Sequence, residues 1–172
     1  LAPYREVTRG YAKELELDES WVYGLIRQES RFVSSARSAV GAGGLMQVMP
    51  TTAQWVANRM GIKYHAGMMN EVGTNVRLGT YYMKHVLETL SNQPVLATAG
   101  YNAGPTRARS WQPVDTPMEA AIYIESIPFL ETRDYVRKVM TNAVAYSMTF
   151  GENRVPLTTR LGIIPPRNPA PL

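Results

Sequence analysis

The chain has 172 residues, 45% of them hydrophobic and 19% charged, which suits one folded domain with a real core and argues against a disordered segment. The absence of cysteine excludes a disulfide framework, a thiolate nucleophile and Cys-ligated zinc or iron–sulfur sites. The net charge of +4 is scattered without a run of like charges, so it reads as a solvated surface and not as a nucleic-acid stripe.

No apolar run approaches the ~18 residues of a membrane-spanning helix. The chain opens on Leu1 without a signal-peptide pattern and so reads as a mature product or an excised domain. Acid–base chemistry has to be drawn from fourteen carboxylates and two histidines, His65 and His85.

The segments read mainly as helices. Tyr4, Val7, Tyr11 and Leu15 form the stripe of a helix over 4–16, and Asp18 offers the N-cap of a second helix through about Phe32. Ser34, Ser35, Ser38, Gly41, Gly43 and Gly44 bring loop chemistry to 33–44, and the 33–48 region predicts at most a short hairpin. Pro50 and Thr51 open a third helix that stops near Gly61, and Val76, Tyr82, Met83, Val86 and Leu90 predict a helix over 75–90.

After the break at Ser91–Pro94 a short apolar helix runs into Tyr101, then a turn at Asn102–Pro105 leads to a small helix ending at Trp111. Pro117 begins another helix to about Ser126, Pro128 stops it, and an amphipathic helix over 131–150 closes the globule. The tail holds Pro156, Pro165, Pro166, Pro169 and Pro171, which predicts an extended, non-helical strap or linker. The fold class is therefore all-α, with a domain over 1–150 and a proline-rich tail over 151–172.

The second helix contains a local conflict. Val22, Leu25, Ile26 and Phe32 or Val33 define an apolar stripe, and Glu29 stands in the middle of it. A carboxylate there is desolvated unless paired, and desolvation raises its pKa toward what a general acid near neutral pH requires. The alternative is a structural pair with an arginine, although Arg27 and Arg31 do not share its helix face.

Three further segments combine polar groups with turns. Gly41 through Pro50 sets a glycine turn before Gln47, an amide able to donate and accept, flanked by Met46 and Met49. Taken by itself it reads better as a helix start with two core methionines. Tyr101 and Asn102 end a helix against a Gly104–Pro105 turn, which is also ordinary capping chemistry. Glu125 ends an otherwise apolar segment and so reads as poorly solvated, the alternative being a pair with Arg133.

Together these residues resemble the catalytic domain of the soluble lytic transglycosylases, in the lysozyme-like superfamily. Four blocks carry the likeness in order: Gln28-Glu29-Ser30; Gly41 to Pro50 with its Gly-Leu-Met-Gln core; Ala99 to Pro105 with Tyr-Asn-Ala-Gly-Pro; and Glu125-Ser126-Ile127-Pro128 leading to Glu131-Thr132-Arg133 and Tyr135-Val136. Any one block is weak, and four in order are specific. Where family members often carry a serine–glycine pair in the second block, this chain reads Ala42-Gly43-Gly44.

The resemblance implies a goose-lysozyme-like glycan cleft. It implies cleavage of the β-1,4 bond between N-acetylmuramic acid and N-acetylglucosamine in peptidoglycan, leaving 1,6-anhydromuramic ends. Glu29 matches the single catalytic acid/base; Ser38, Gln47, Met49, Tyr101, Asn102 and Glu125 match sugar-contacting positions, and Tyr146 matches a tyrosine near the acid. The resemblance places the protein in the periplasm, without metal or cofactor, with peptidoglycan strands as partners and other envelope enzymes as further candidates.

The chemistry agrees with the likeness. Ordinary glycosidases need two carboxylates, about 5–5.5 Å apart for retention or ~6.5–9.5 Å for inversion. The matched motifs here offer one acid with no companion Asp in the glycine-rich loop, and one suffices when the nucleophile belongs to the substrate. Two alternatives stay open: a muramidase that uses water, and a non-catalytic peptidoglycan-binding module that keeps the fold.

Overall fold

The computed structural model describes residues 2–153 and 155–168. The chain divides into two compact units, residues 1–84 and 85–172.

The first unit starts with α1 (Arg5–Glu14) packed on α2 (Glu19–Ser30). The Asp18 carboxylate caps α2 by accepting from the backbone N–H groups of Ser20 at 2.8 Å and Trp21 at 3.1 Å. Residues 20–26 of α2 are all buried, so this helix is a core element and not a half-exposed one. It ends at Ser30 and not at Phe32, because Arg31 and Phe32 both adopt left-handed backbone, with φ of 52° and 66°. The Ser30 hydroxyl accepts from Phe32 N–H at 3.1 Å and so satisfies a donor that the broken helix leaves over. Val33, offered as an end of the apolar stripe, is 52% exposed.

A loop over 31–49 follows. The hairpin allowed there is absent: only isolated bridges join Arg37 to Gly43 and Gly43 to Val48. Next come α3 (Pro50–Met60), closed by Gly61 in left-handed backbone, a 3-10 turn at Ala66–Asn70, and α4 (Val72–Thr89). Proline at the first helical position and glycine just past the last bracket α3 as its sequence predicts.

In the second unit the central element is α5 (Pro94–Ala103), with Val95 to Gly100 buried, packed against α6 (Pro105–Ser110) and α8 (Leu130–Thr149). Gly100 permits the close approach, since a Cβ there would lie 2.7 Å from Leu90 Cδ1. The predicted helix from Pro117 starts later: Met118–Glu119 form a short strand, β1, before α7 (Ala120–Ser126).

The tail also departs from its prediction. It holds α9 (Leu157–Leu161), whose N-cap is Pro156, and β2 (Ile163–Ile164), which pairs antiparallel with β1 in the register Met118–Ile164 and Glu119–Ile163. Proline forbids helix only where its missing N–H or its ring interferes, and 157–164 contains none. Ile164 is fully buried, Gln112 Nε2 donates to Pro165 O at 3.0 Å, and Arg167 N–H donates to Pro113 O at 2.8 Å, so the segment is docked along its length. Pro169 and Pro171 lie outside the described residues. Among the described residues no helix is long and apolar enough to cross a membrane.

Candidate active site

In the first unit Glu29 occupies the last turn of α2 and is half-buried. It follows the fully buried Leu25 and Ile26 and immediately precedes the two left-handed residues that stop the helix. Its carboxylate is thus carried by a rigid core helix, at a break whose backbone is strained.

The loop after it places Ser38, Gln47 and Met49. The Ser38 hydroxyl accepts from Ala42 N–H at 3.0 Å while Ser38 N–H donates to Ala42 O at 2.9 Å, so this serine closes its own turn. Gln47, at φ 48°, donates through Nε2 to Ala36 O at 3.0 Å and to Gly44 O at 2.9 Å. Both amide hydrogens are therefore spent on backbone carbonyls, and the group expected to donate and accept presents Oε1, an acceptor only. Met49 caps α3 from extended backbone and stays 37% exposed, while Met46 is fully buried. The two methionines that flank Gln47 thus divide between surface and core.

The loop is shaped by a residue that local pattern does not mark. Asn75, in α4 and 1% exposed, donates to Gly43 O and Met69 O and accepts from Met46 N–H. Gly44, at φ 75°, lies so close that a Cβ would sit 2.2 Å from Asn75 Nδ2. Such contacts make glycine obligatory there.

In the second unit Tyr101 and Asn102 lie in the last turn of α5 and are both half-buried. The buried Thr132, at the start of α8, donates from Oγ1 to Asn102 Oδ1 at 2.8 Å. Tyr146 lies farther along α8 and stacks on Phe150, with ring centroids 5.7 Å apart.

Glu125 differs from its expectation. Its side chain is 59% exposed, and it pairs with Arg137 instead of Arg133: Arg137 Nε donates to Oε1 at 3.0 Å, and Nη2 reaches both carboxylate oxygens. Arg133 is committed to Ile127 O through Nε and Nη2. The Arg137 hydrogen bonds hold the Glu125 carboxyl below the ordinary carboxylate range, the reverse of what burial would do. Glu125 and Arg137 border a cavity of about 160 Å³ lined also by Ile124, Met140, Leu157 and Leu161.

Residues 6–123 match the Transglycosylase SLT domain family, and residues 126–154 match the Soluble lytic transglycosylase helical domain. The chain belongs to the SLT transglycosylase domain family.

It is 34% identical over 152 residues to the soluble lytic murein transglycosylase of Escherichia coli K12, covering 87% of this chain and 24% of that protein. Among solved structures it resembles an inactive Glu-to-Gln mutant of the lytic transglycosylase Slt from Pseudomonas aeruginosa, at a TM-score of 0.85 and 38% identity, over 88% of this chain and 25% of that one. It also resembles the 70 kDa soluble lytic transglycosylase of E. coli, at a TM-score of 0.82 and 32% identity, over 92% of this chain and 26% of that one. The chain spans about a quarter of the length of the curated relatives it matches.

Proposed function

We propose that the protein is a peptidoglycan lytic transglycosylase that uses Glu29 as its acid and then its base. The observation that carries this reading is the placing of Glu29, a half-buried carboxyl at the strained end of a buried helix, in a chain of the SLT family. That an inactive mutant of the P. aeruginosa relative replaces a glutamate by glutamine supports it.

In the proposed reaction Glu29 starts as the carboxylic acid and protonates the oxygen that bridges N-acetylmuramic acid to N-acetylglucosamine. The bond from C1 to that oxygen breaks and the N-acetylglucosamine side departs as an alcohol. The muramic C6 hydroxyl attacks C1, and the Glu29 carboxylate takes its proton, which restores the acid and leaves a 1,6-anhydro ring. No water enters, so the second carboxylate of a hydrolytic glycosidase has no task.

Ser38, Gln47, Met49, Tyr101, Asn102, Glu125 and Tyr146 are proposed as substrate contacts, with residues 1–150 as the catalytic domain. Tyr101 and Asn102 would orient or polarise the 2-acetamido group. The proposed compartment is the periplasm, where the glycan strands lie.

Digestion of purified sacculi followed by mass spectrometry tests this reading. Muramic ends one water lighter than reducing ends are expected, and reducing ends alone would establish a hydrolytic muramidase instead. Glu29→Gln should slow wall clearing by at least about a hundredfold with folding and wall binding intact. Clearing at the wild-type rate would remove Glu29 from the chemistry.

A further inference from the structure

Glu29 stands one turn before the point at which α2 would cover it. Had the helix run on, Phe32 and Val33 would be the third and fourth residues after Glu29 and would share its face. Helical side chains lean toward the N-terminus, so both apolar groups would lie back over the carboxyl. These are the residues that complete the apolar stripe of the sequence, and a continued helix is what that stripe asks for.

The chain leaves this path at Arg31 and Phe32, with φ of 52° and 66°. Left-handed backbone is uncommon outside glycine and is an outlier for a residue as bulky as phenylalanine. Two in succession persist only where the surroundings over-determine them.

Two sets of contacts do so here. The hydroxyl of the buried Ser30 donates to Ile26 O at 3.3 Å and accepts from Phe32 N–H at 3.1 Å. The Phe32 ring meets the ring of the fully buried Tyr23, with centroids 5.5 Å apart, and the Tyr23 hydroxyl donates to Pro3 O at 2.6 Å. Tyr23 precedes Glu29 by six residues, which places it about a third of a turn round the helix. The break therefore carries the Phe32 ring off the face of Glu29 and into the core beside it.

We propose that Ser30 and Phe32 are positioning residues that interrupt α2, so that the Glu29 carboxyl stays open on the side a further turn would cover. This deepens the functional reading above and rests on it, since the ligand that needs this opening is the glycan whose bridging oxygen Glu29 protonates. Both residues act through the course of the backbone and need touch no sugar.

The test turns on the difference between alanine and glycine at position 32. Both remove the ring. Alanine is the best helix former and is strained in left-handed backbone, whereas glycine adopts that backbone freely. Phe32→Ala should let α2 continue, with helical Cα shifts appearing at residues 31–33 in NMR spectra. It should slow clearing of purified walls at least about fivefold, with binding to walls in pelleting assays retained. Phe32→Gly should keep the break and clear walls within about twofold of the wild-type rate. Arg31→Gly added to Phe32→Ala puts glycine at the other left-handed position and should restore clearing.

A merely structural phenylalanine gives the reverse order: glycine falls below alanine in melting temperature and in rate, and Arg31→Gly rescues nothing. That order overturns the proposal, as do equal rates for the two variants or helical shifts at 31–33 with clearing at the wild-type rate. If Phe32→Ala fails to fold, Ser30→Ala against Ser30→Thr makes the comparison, since only threonine keeps a hydroxyl for Phe32 N–H and should keep the rate. Equal loss in those two proteins would overturn the proposal as well. Failure of the functional reading looks different: the wild type releases only reducing ends from sacculi, while the contrast between alanine and glycine in clearing persists.

Discussion

Asn75 holds the backbone of Met46: its Oδ1 accepts from Met46 N–H at 2.8 Å, across 29 residues of sequence. The same amide donates through Nδ2 to Gly43 O at 2.8 Å and to Met69 O at 3.0 Å. One buried side chain thus ties the glycine loop and the 3-10 turn to α4. Asn75→Ala would leave an N–H and two carbonyls without partners in the interior. A loss of about 3–5 kcal/mol in unfolding free energy is expected, read from the denaturant midpoint.

Two glycines should respond in opposite senses to the same substitution. Gly44→Ala forces a Cβ to within 2.2 Å of Asn75 Nδ2 and Met69 O at a backbone φ of 75°, and should destabilise by about 3 kcal/mol or more. Gly10→Ala, in the middle of α1 with nothing within 4 Å of its would-be Cβ, should stabilise by about 0.5–1 kcal/mol. Thermal melts of the two proteins give the comparison.

The Glu125–Arg137 pair makes a prediction about pH. Arg137 lowers the Glu125 pKa in the folded protein, so the pair's contribution is present above the pKa of the unfolded chain. It is lost as pH falls through the lower, folded value. Carboxyl-detected NMR should find Glu125 titrating below its ordinary midpoint in the wild type and close to it in Arg137→Gln. Because both side chains are about half exposed, added salt should shrink the difference and the effect on stability should be small.

Gln93 joins the tail to α5. Its Oε1 caps the helix by accepting from Val95 N–H at 2.5 Å and Leu96 N–H at 3.3 Å, while Nε2 donates to Leu161 O at 2.6 Å and to Ile163 O at 3.3 Å. Gln93→Leu should loosen the strap first. Amide exchange at Arg167 and Asn168, whose N–H groups donate to Pro113 O and Val114 O, should accelerate more than exchange in the buried turns of α5.

Much of the helical layout is legible locally, because its signals are local. Asp18 caps α2, Pro50 and Gly61 bracket α3, and Pro94 opens α5. The departures arise where partners are remote. The strand at Met118–Glu119 exists because residues 163–164 pair with it, and no window around Pro117 contains that fact. The early stop of α2 rests on left-handed backbone at Arg31 and Phe32, positions where no glycine advertises it.

The candidate residues divide in the same way. The chemical types of Glu29, Gln47, Tyr101 and Asn102 stand in short motifs, but the partners of the amides do not. Gln47 is turned into an acceptor by the carbonyls of Ala36 and Gly44, and Asn102 meets Thr132 at a separation of 30 residues. Arg137 replaces Arg133 as the partner of Glu125 because Arg133 is occupied by Ile127 O, a carbonyl that no side-chain pattern reports.

The bridges of Gly43 to Arg37 and Val48, with the Asn75 side chain bonded to Gly43 O, make the loop over 31–49 an ordered object before any ligand arrives. Fixing a backbone costs about 1–2 kcal/mol per residue in lost conformational entropy. In this protein that cost is met during folding and not on encounter with a ligand. The loop should therefore bind as a template does, with little change of shape, and variants that loosen it should lose affinity through entropy while their chemical step proceeds unaltered.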